Sequence, residues 1–378
     1  MLLAKQNHYP YYIERSYPVK TPQTSEKILI GLYGYGKVAN LYAEAIRDLP
    51  NACLVSVAGR NRPRRNEFAA KWNIASRDTA AEMADLDKVD LVIITTPHPQ
   101  HRDSTLEALA AGCHVLVEKP MAISVAQCDE MIGAAKKAGK VLSQVGQRRW
   151  FPACRRIKDA INEGKLGKPI LLQLTILGWR DEAYYKSDPW RGKWDAEGGG
   201  ILINQAAHQI DLMNWYMGPI AEIQGYWDNF NHPYIEVEDS AVAILKFQNG
   251  GFGSVLVSNS QKPGIYAKVH VHGSKGSSAG VQTDGGAMFI AGMSTITEPP
   301  LNDLWTIPGE EKLLDTFRAE DEAFFKTINA TVYFFTRQLD DLCQALLEGK
   351  IPPTTGEDGR ETVKFIETMY KLGGAPGY

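Results

Sequence analysis

The sequence predicts a two-domain α/β protein. A doubly wound dinucleotide-binding (Rossmann) domain comes first, then an α/β domain with a large, mainly antiparallel open sheet. Three observations carry this expectation. From Lys27 to about residue 147, short apolar runs alternate with amphipathic stretches. The first run closes on a glycine-rich turn, Gly34-Tyr35-Gly36. From 220 to 273, strand-like runs follow one another without helices between them, the pattern of an antiparallel sheet. The chain has 378 residues, enough for two domains at about 150 residues each. The division expected is an arm at 1–24, a first domain at 25–147 and a second at 148–378.

The arm holds Tyr9, Tyr11, Tyr12 and Tyr17 among Pro10, Pro18 and Pro22, with no helical or strand period. Such a segment forms no core of its own, and its tyrosines are expected to dock on another surface. Next, Ile28–Tyr33, Cys53–Gly59, Val89–Thr95, Cys113–Glu118 and Val141–Val145 read as strands. Near-continuous apolar character marks strands covered on both faces. Helices are expected between and after them at 37–49, 63–72, 79–85, 101–111 and 124–138. Ser124 and Gln127 suit a capping box, and Gly112 and Gly139 stand where helix ends favour a left-handed residue.

In the second half a helix at 152–163 closes on Gly164, and a strand follows at 168–179. After a loop rich in Trp, Tyr, Asp and Gly, apolar positions at Ile201, Ala206, Ile210, Met213 and Tyr216 predict a helix over 201–217. Strands are expected at 220–228, 239–248, 251–259 and 266–273. Two helices, 330–348 and 357–371, finish the chain, with Pro352 and Pro353 in the loop between them.

The charge balance is 41 Lys and Arg against 44 Asp and Glu, a net −3. So weak a balance argues against a nucleic-acid surface or a polybasic membrane patch. No apolar stretch approaches the ~20 residues that span a bilayer, and no leader pattern opens the chain, so a cytoplasmic location is expected. The five cysteines, Cys53, Cys113, Cys128, Cys154 and Cys343, include no C-x-x-C pair. They are expected to be free, buried thiols rather than a disulfide or zinc framework.

Five stretches carry chemistry. Gly34-Tyr35-Gly36-Lys37-Val38-Ala39 fits G-x-G-x-x-G/A between a strand and a helix. There glycine permits a tight turn, and backbone N–H groups can approach a pyrophosphate at the helix N-terminus. Gly34, Tyr35, Gly36, Lys37 and Val38 are therefore expected cofactor contacts. The second strand ends in Val57-Ala58-Gly59-Arg60-Asn61 and offers no carboxylate for a ribose diol. Arg60 could grip a 2′-phosphate instead, which favours NADP and leaves NAD as the alternative. Arg62, Arg64 and Arg65 are expected on the solvated face of the next helix. Two further strands end in Thr96-Pro97-His98-Pro-Gln-His101 and in Glu118-Lys119-Pro120. The carboxyl ends of parallel strands are where open α/β sheets bind ligands, and a lysine there can hydrogen-bond a hydroxyl or donate a proton. Finally, Gly198-Gly-Gly200 precedes Asn204, His208 and Asp211, which recur on one face if 201–217 is helical.

On these stretches the sequence resembles the Gfo/Idh/MocA family of NAD(P)-dependent oxidoreductases. The glycine turn, T-P-H-x-x-H, A-L-A-A-G-C-H-V-L-V-E-K-P and G-G-G…N-Q-x-x-H-x-x-D occur in the family's order, across about residues 27–373. The resemblance implies an oxidoreductase acting on secondary alcohols of sugars, inositols and related polyols. It implies that Lys119 sits beside the nicotinamide and the reacting hydroxyl, with His208 as acid/base. The family often has Asp where this chain has Asn204, which can orient a substrate but not accept a proton. Trp190 and Arg191 resemble a loop that closes over the nicotinamide, and Gln147 resembles a contact near its reactive end. Thr96, Pro97, His98, His101 and Glu118 are expected along the cofactor. Tyr184, Tyr185 and Trp194 are candidates to stack on a sugar, with simple packing as the alternative, and Arg149 is a candidate substrate contact. The open sheet of the second domain implies a homo-oligomer, dimer or tetramer.

His270 and His272 alternate on a strand, but no third ligand stands near them, so no metal is expected. The function expected is hydride transfer between nicotinamide and a carbohydrate secondary alcohol. The rivals are an NAD-dependent glycosidase working by transient oxidation and elimination, and a non-catalytic cofactor-binding regulator.

Overall fold

The computed structural model describes residues 27–285 and 296–378. The expected arm at 1–24 lies outside them. The first sheet is parallel and six-stranded: β1 (Ile28–Tyr33), β2 (Ala52–Ala58), β3 (Ala75–Arg77), β4 (Leu91–Ile94), β5 (His114–Val117) and β6 (Leu142–Gln144), in the order β3-β2-β1-β4-β5-β6. Helices α1 (Lys37–Arg47), α2 (Arg62–Trp72), α3 (Ala80–Asp87), α4 (His101–Ala110) and α5 (Val125–Ala138) connect the strands. Every residue of β4 and β5 is buried, as the continuous apolar runs require. Strand order reverses between β1 and β4, which opens a crevice at their carboxyl ends.

Local signals placed these elements well. Gly112 and Gly139 adopt φ of +83° and +63° at their helix ends. Ser124 caps α5 by accepting from the Gln127 N–H at 3.3 Å, but the Gln127 side-chain oxygen is buried without a partner. The expected capping box is therefore half formed. A full box stands instead at Thr355 and Asp358. Cys113, Cys128, Cys154 and Cys343 are buried, whereas Cys53 is exposed, because only the later part of β2 enters the covered sheet. The three residues of β3 form a half-buried edge strand, too short and polar to give an apolar run.

The second sheet has seven strands: β7 (Pro169–Leu177), β8 (Ile220–Asp228), β9 (Ser240–Phe247), β10 (Phe252–Ser258), β11 (Tyr266–Gly273), β12 (Ser278–Gly285) and β13 (Leu301–Trp305). Their order is β13-β12-β11-β7-β10-β9-β8, antiparallel throughout except for the parallel β7–β10 pair. Helices α6 (Pro152–Asn162), the short α7 (Glu182–Lys186) and α8 (Ala207–Met217) precede or interrupt it. Leu172, Leu174 and Ile176 of β7 join Ile157 of α6 and Ile210 and Met213 of α8 in one core. The other face is open, with Tyr226, Val242 and Leu256 exposed in register across β8, β9 and β10.

Helix α8 starts at Ala207 rather than 201, because residues 201–206 form turns. The buried Glu238 carboxylate pins those turns, accepting from Gly200 N–H at 2.8 Å and Leu202 N–H at 3.0 Å. Asn204 thus stands ahead of the helix that carries His208, not on its face.

The last helices, α9 (Leu313–Phe325), α10 (Ala330–Glu348) and α11 (Gly356–Leu372), follow the second sheet. Leu339, Leu342, Cys343 and Leu346 of α10 nevertheless sit in the first sheet's core with Tyr42 and Ile46 of α1. Each such side chain contributes about 1.5–3 kcal/mol by burial, so the chain's end clamps the first domain against the second.

Candidate active site

The carboxyl ends of β1, β2, β4 and β5 open into a single cavity of about 790 Å³, closed on its far side by residues from β7 to α8. Its first end is built from the glycine turn. Gly34 has φ +121°, and a Cβ there would lie 2.5 Å from Thr95 Oγ1, so only glycine fits. At Gly36, the N-cap of α1, an added Cβ would meet nothing within 4 Å, because that position faces the cavity. No side chain caps α1, which leaves its first-turn N–H groups directed at the cavity wall formed by Gly36, Lys37 and Val38. Free N–H groups with no Cβ in front of them suit a pyrophosphate, so these residues fit a dinucleotide.

At the end of β2 the Tyr35 ring lies beneath Gly59, and its hydroxyl accepts from the Asn61 N–H at 2.8 Å. Arg60 is exposed on the cavity wall. Of the three arginines expected on the solvated face, Arg62 and Arg64 are exposed and only Arg65 departs. Arg64 lines the cavity above the Tyr35 ring, 5.8 Å from its centroid. Arg65 is buried, donating to Gly59 O at 2.7 Å and pairing with Asp78 at 2.6 Å. Asn61 caps α2 by accepting from the Arg64 N–H at 3.1 Å, and at 3.6 residues per turn adjacent arginines point in different directions.

Thr96, Pro97, His98 and His101 all border the cavity. His101 is fully buried, with Nδ1 2.7 Å from Pro120 O and Nε2 2.8 Å from Thr96 O. It ties the β4 turn to the Lys119-Pro120 turn rather than presenting a free ring. His98 contacts Trp190 at 5.4 Å between centroids. Arg191 stacks on Trp190, 4.5 Å from its centroid, and donates to the Tyr184 hydroxyl at 2.6 Å.

At the other end Lys119, Gln147, Tyr184, Asn204 and His208 converge. Lys119 Nζ donates to the Asn204 backbone oxygen at 3.0 Å and to Oδ1 at 3.3 Å. Glu118 sets the lysine's backbone by accepting its N–H at 3.0 Å, and it also accepts from the Tyr42 hydroxyl at 2.9 Å. Burial lowers the Lys119 pKa, and Glu118 opposes that shift. The His208 ring makes no protein hydrogen bond among the described residues. Burial, then the charges of Arg148 and Lys119, hold its pKa well below the ordinary histidine value. It is a neutral imidazole facing a cavity, able to accept a proton.

Arg149 does not reach the cavity. It is buried and paired with Asp211 at 2.6 Å and Asp358 at 3.2 Å. The neighbouring Arg148 lines the cavity instead, bound through both terminal nitrogens to Asp284. Consecutive residues of the 3-10 turn Gln147–Trp150 point to different sides, which a sequence pattern does not resolve. Of the candidate stacking aromatics only Tyr184 borders the cavity. Tyr185 packs on His232 and Tyr234, and Trp194 packs on Trp227 and Tyr370. Sequence reasoning also missed Glu197, whose carboxylate meets the Asn204 amide. Its one signal was a carboxylate directly before three glycines. Among the described residues no group of three or more His, Cys, Asp or Glu is placed to hold a metal. His270 meets Asp303 at 3.0 Å, and His272 meets Ser278 at 2.7 Å.

Residues 28–146 match the oxidoreductase family with NAD-binding Rossmann fold, GFO/IDH/MocA, and residues 154–279 match the GFO/IDH/MocA C-terminal domain. The chain belongs to the GFO/IDH/MocA family. It is accordingly an oxidoreductase with an NAD-binding Rossmann domain. Among the family's members it is 28% identical over 258 residues to the myo-inositol 2-dehydrogenase of Thermotoga maritima, covering 65% of this chain and 73% of that one. It is also 28% identical over 254 residues to the trans-1,2-dihydrobenzene-1,2-diol dehydrogenase of Mus musculus, covering 65% and 72%. Among solved structures, the WlbA dehydrogenase of Bordetella pertussis in complex with NADH and UDP-GlcNAcA superposes with a TM-score of 0.75. That match has 25% identity over 92% of this chain and 96% of the other. No helix among the described residues is long and apolar enough to cross a membrane.

Proposed function

We propose that this family member transfers a hydride between nicotinamide C4 and a secondary alcohol carbon of a sugar, glycoside or polyol. The observation that carries the reading is the meeting of Lys119, Asn204 and His208 at one end of a cavity whose other end is the glycine turn. Two relatives are named for diol or inositol oxidation, and a structural neighbour was solved with a nucleotide sugar. Their names support a hydroxyl-rich substrate.

The dinucleotide supplies the hydride acceptor or donor. In the oxidative direction His208 takes the hydroxyl proton, because burial holds its pKa low and its ring has no competing partner among the described residues. The Lys119 ammonium hydrogen-bonds the same oxygen and stabilises negative charge developing there. Asn204 fixes Lys119, and Tyr184 forms a wall against which a ring can lie. Trp190 and Arg191, layered over His98, exclude water from the nicotinamide end. In the reductive direction the proton returns to the new alkoxide from the same pair.

NADP is the cofactor proposed, from Arg60 on the cavity wall and the lack of a carboxylate in Gly59-Arg60-Asn61. A homo-oligomer is proposed through the open face bearing Tyr226, Val242, Ile244 and Leu256, a contiguous apolar surface of the kind that marks interfaces. Light scattering checks this last point, and a monomer at micromolar concentration rejects it.

The deciding test is absorbance at the reduced-nicotinamide band, with NADP or NAD, against pooled sugars, glycosides and inositols. A rise with NADP alone supports both the reaction and the Arg60 assignment. A rise with NAD alone keeps the reaction and rejects that assignment. No rise with either, while the cofactor binds, rejects net hydride transfer.

A further inference from the structure

One buried carboxylate stands directly behind the reaction end. Glu197 is 2% exposed, and both its oxygens face N–H donors. Oε1 accepts from Asn204 Nδ2 in a short contact, and Oε2 accepts from the Gly192 backbone N–H at 2.7 Å. Its own carbonyl meets His98 Nδ1 at 3.1 Å. Burial raises the Glu197 pKa, and the Gly192 N–H, the Arg191 charge and the Asn204 amide oppose that shift in favour of the ionised form.

The orientation of the Asn204 amide follows. A carboxylate only accepts, so the NH₂ end of Asn204 faces Glu197 and its oxygen faces away. There that oxygen meets Lys119 Nζ at 3.3 Å. A reversed amide would set acceptor against acceptor at Glu197 and donor against ammonium at Lys119. Each contact therefore fixes the other.

We propose that Glu197 is a positioning residue that, through the Asn204 amide, adds its negative charge to that of Glu118 in holding the Lys119 ammonium at the reaction end. This deepens the proposed function and rests on its reading of Lys119. Glu118, Glu197, Arg191 and Arg148 are the charged groups acting on Lys119, and Lys119 in turn acts on the imidazoles of His98, His101 and His208. Both arginines work against the protonated lysine, and both carboxylates favour it. The Glu118 carboxylate is engaged by the Tyr42 hydroxyl and the Lys119 backbone, so Glu197 is the carboxylate linked to Nζ by hydrogen bonds. On its own side Glu197 faces Arg191, Lys119, Tyr184 and Tyr185.

The test is competitive acetylation of Lys119 with acetic anhydride across pH, read by mass spectrometry on the full chain without substrate. Glu197→Gln offers one oxygen to two donors, so the Lys119 pKa is expected to fall. The alkaline limb of kcat shifts down with it, and kcat drops by about tenfold or more, part of what acid–base groups contribute. Dinucleotide affinity changes less. The double variant E197Q/N204D is expected to restore the pKa. Its carboxylate, now at position 204, faces Nζ directly, while the amide at position 197 donates to that carboxylate and still accepts from Gly192. A purely structural role for Glu197 gives no such rescue. A folded E197Q with an unchanged Lys119 profile overturns the proposal, as does a folded double variant whose Lys119 pKa stays low. If neither folds, Asn204→Leu removes the link with Glu197 in place. It is expected to lower the Lys119 pKa, and an unchanged profile rejects the idea. Because labelling needs no turnover, a chain inactive on every sugar still tests this inference separately from the reaction.

Discussion

Arg149 and Asp211 form a buried bidentate pair, with Nη2–Oδ1 at 2.6 Å and Nε–Oδ2 at 2.9 Å. Asp211 lies one helical turn past His208 on α8, and Arg149 lies two residues past Gln147. The pair therefore locks the helix that presents the imidazole to the turn that presents Gln147 and Arg148. Asp358 at the start of α11 completes it. Arg149→Met would leave Asp211 buried without its cation. The expected cost is about 3–5 kcal/mol, the usual result of breaking a buried pair from one side. Urea unfolding at pH 7.5 measures it. The loss should be smaller at pH 5, where the orphaned carboxylates can take up protons. A loss below about 1 kcal/mol, as for an exposed pair, would mean that the pair does not lock these two elements together.

Lys119→Met removes the ammonium but keeps much of the side chain's volume. The reaction read here requires kcat to fall by about 10²–10⁴-fold. The glycine turn and Arg60 are untouched, so dinucleotide affinity by fluorescence titration should change little. A fully active Lys119→Met variant sinks the assignment.

The parallel sheet was legible because strands covered on both faces must be apolar throughout, and because Gly34, Gly112 and Gly139 sit where φ is positive. The elements missed were those whose stability comes from contacts distant in sequence. β3 is a three-residue edge strand, and β12 carries Ser278, Gly280, Thr283 and Asp284 within its pairing. Helix α9 has only Asp321 buried, through a pair with Arg156. At the site, motif residues were legible because their chemistry needs a particular residue type at a strand end. Arg148, Arg149 and Glu197 were not, since neighbouring residues on a tight turn diverge in space. Only the positions of Asp211, Asp284 and Asn204 decide which of them faces the cavity.

Gly34 and Gly36 should fail in different ways when each becomes alanine. At Gly34 the backbone φ is +121° and a Cβ would collide with Thr95, so Gly34→Ala should lower the unfolding midpoint as well as cofactor binding. Gly36 has φ −81° and open space beyond it. Gly36→Ala should therefore keep the unfolding midpoint but lose dinucleotide affinity, since the methyl occupies the phosphate approach. Equal unfolding midpoints for both variants would contradict this account of the turn.

His208 sets an expectation for pH. Its pKa is held well below 6.5 by burial first, then by Arg148 and Lys119. As a base it must be neutral, so alcohol oxidation is lost only as pH falls through that depressed value, below the ordinary histidine range. The same shift means the unfolded chain binds a proton that the folded chain does not. Folding stability from this group is therefore present above pH 6.5 and declines as pH falls below it. His208→Asn should abolish the acid limb of kcat/KM along with most activity. An acid limb unchanged in that variant would point to a different base.

Arg60 gives the sharpest test of cofactor choice. It stands exposed at the end of β2, on the cavity wall, and Asn61 and Gly59 beside it carry no charge. A guanidinium on a 2′-phosphate makes charge-assisted hydrogen bonds worth about 1.5–3 kcal/mol each, and NAD offers it no such phosphate. Arg60→Ala should therefore raise the NADP dissociation constant by about 10–100-fold while leaving that for NAD within about twofold. Arg64 lines the same cavity, over the Tyr35 ring, so Arg64→Ala should show the same selectivity to a smaller degree. Isothermal titration of both dinucleotides against the three proteins decides the matter. Equal losses for NADP and NAD would mean that Arg60 packs on the adenine rather than reading the ribose.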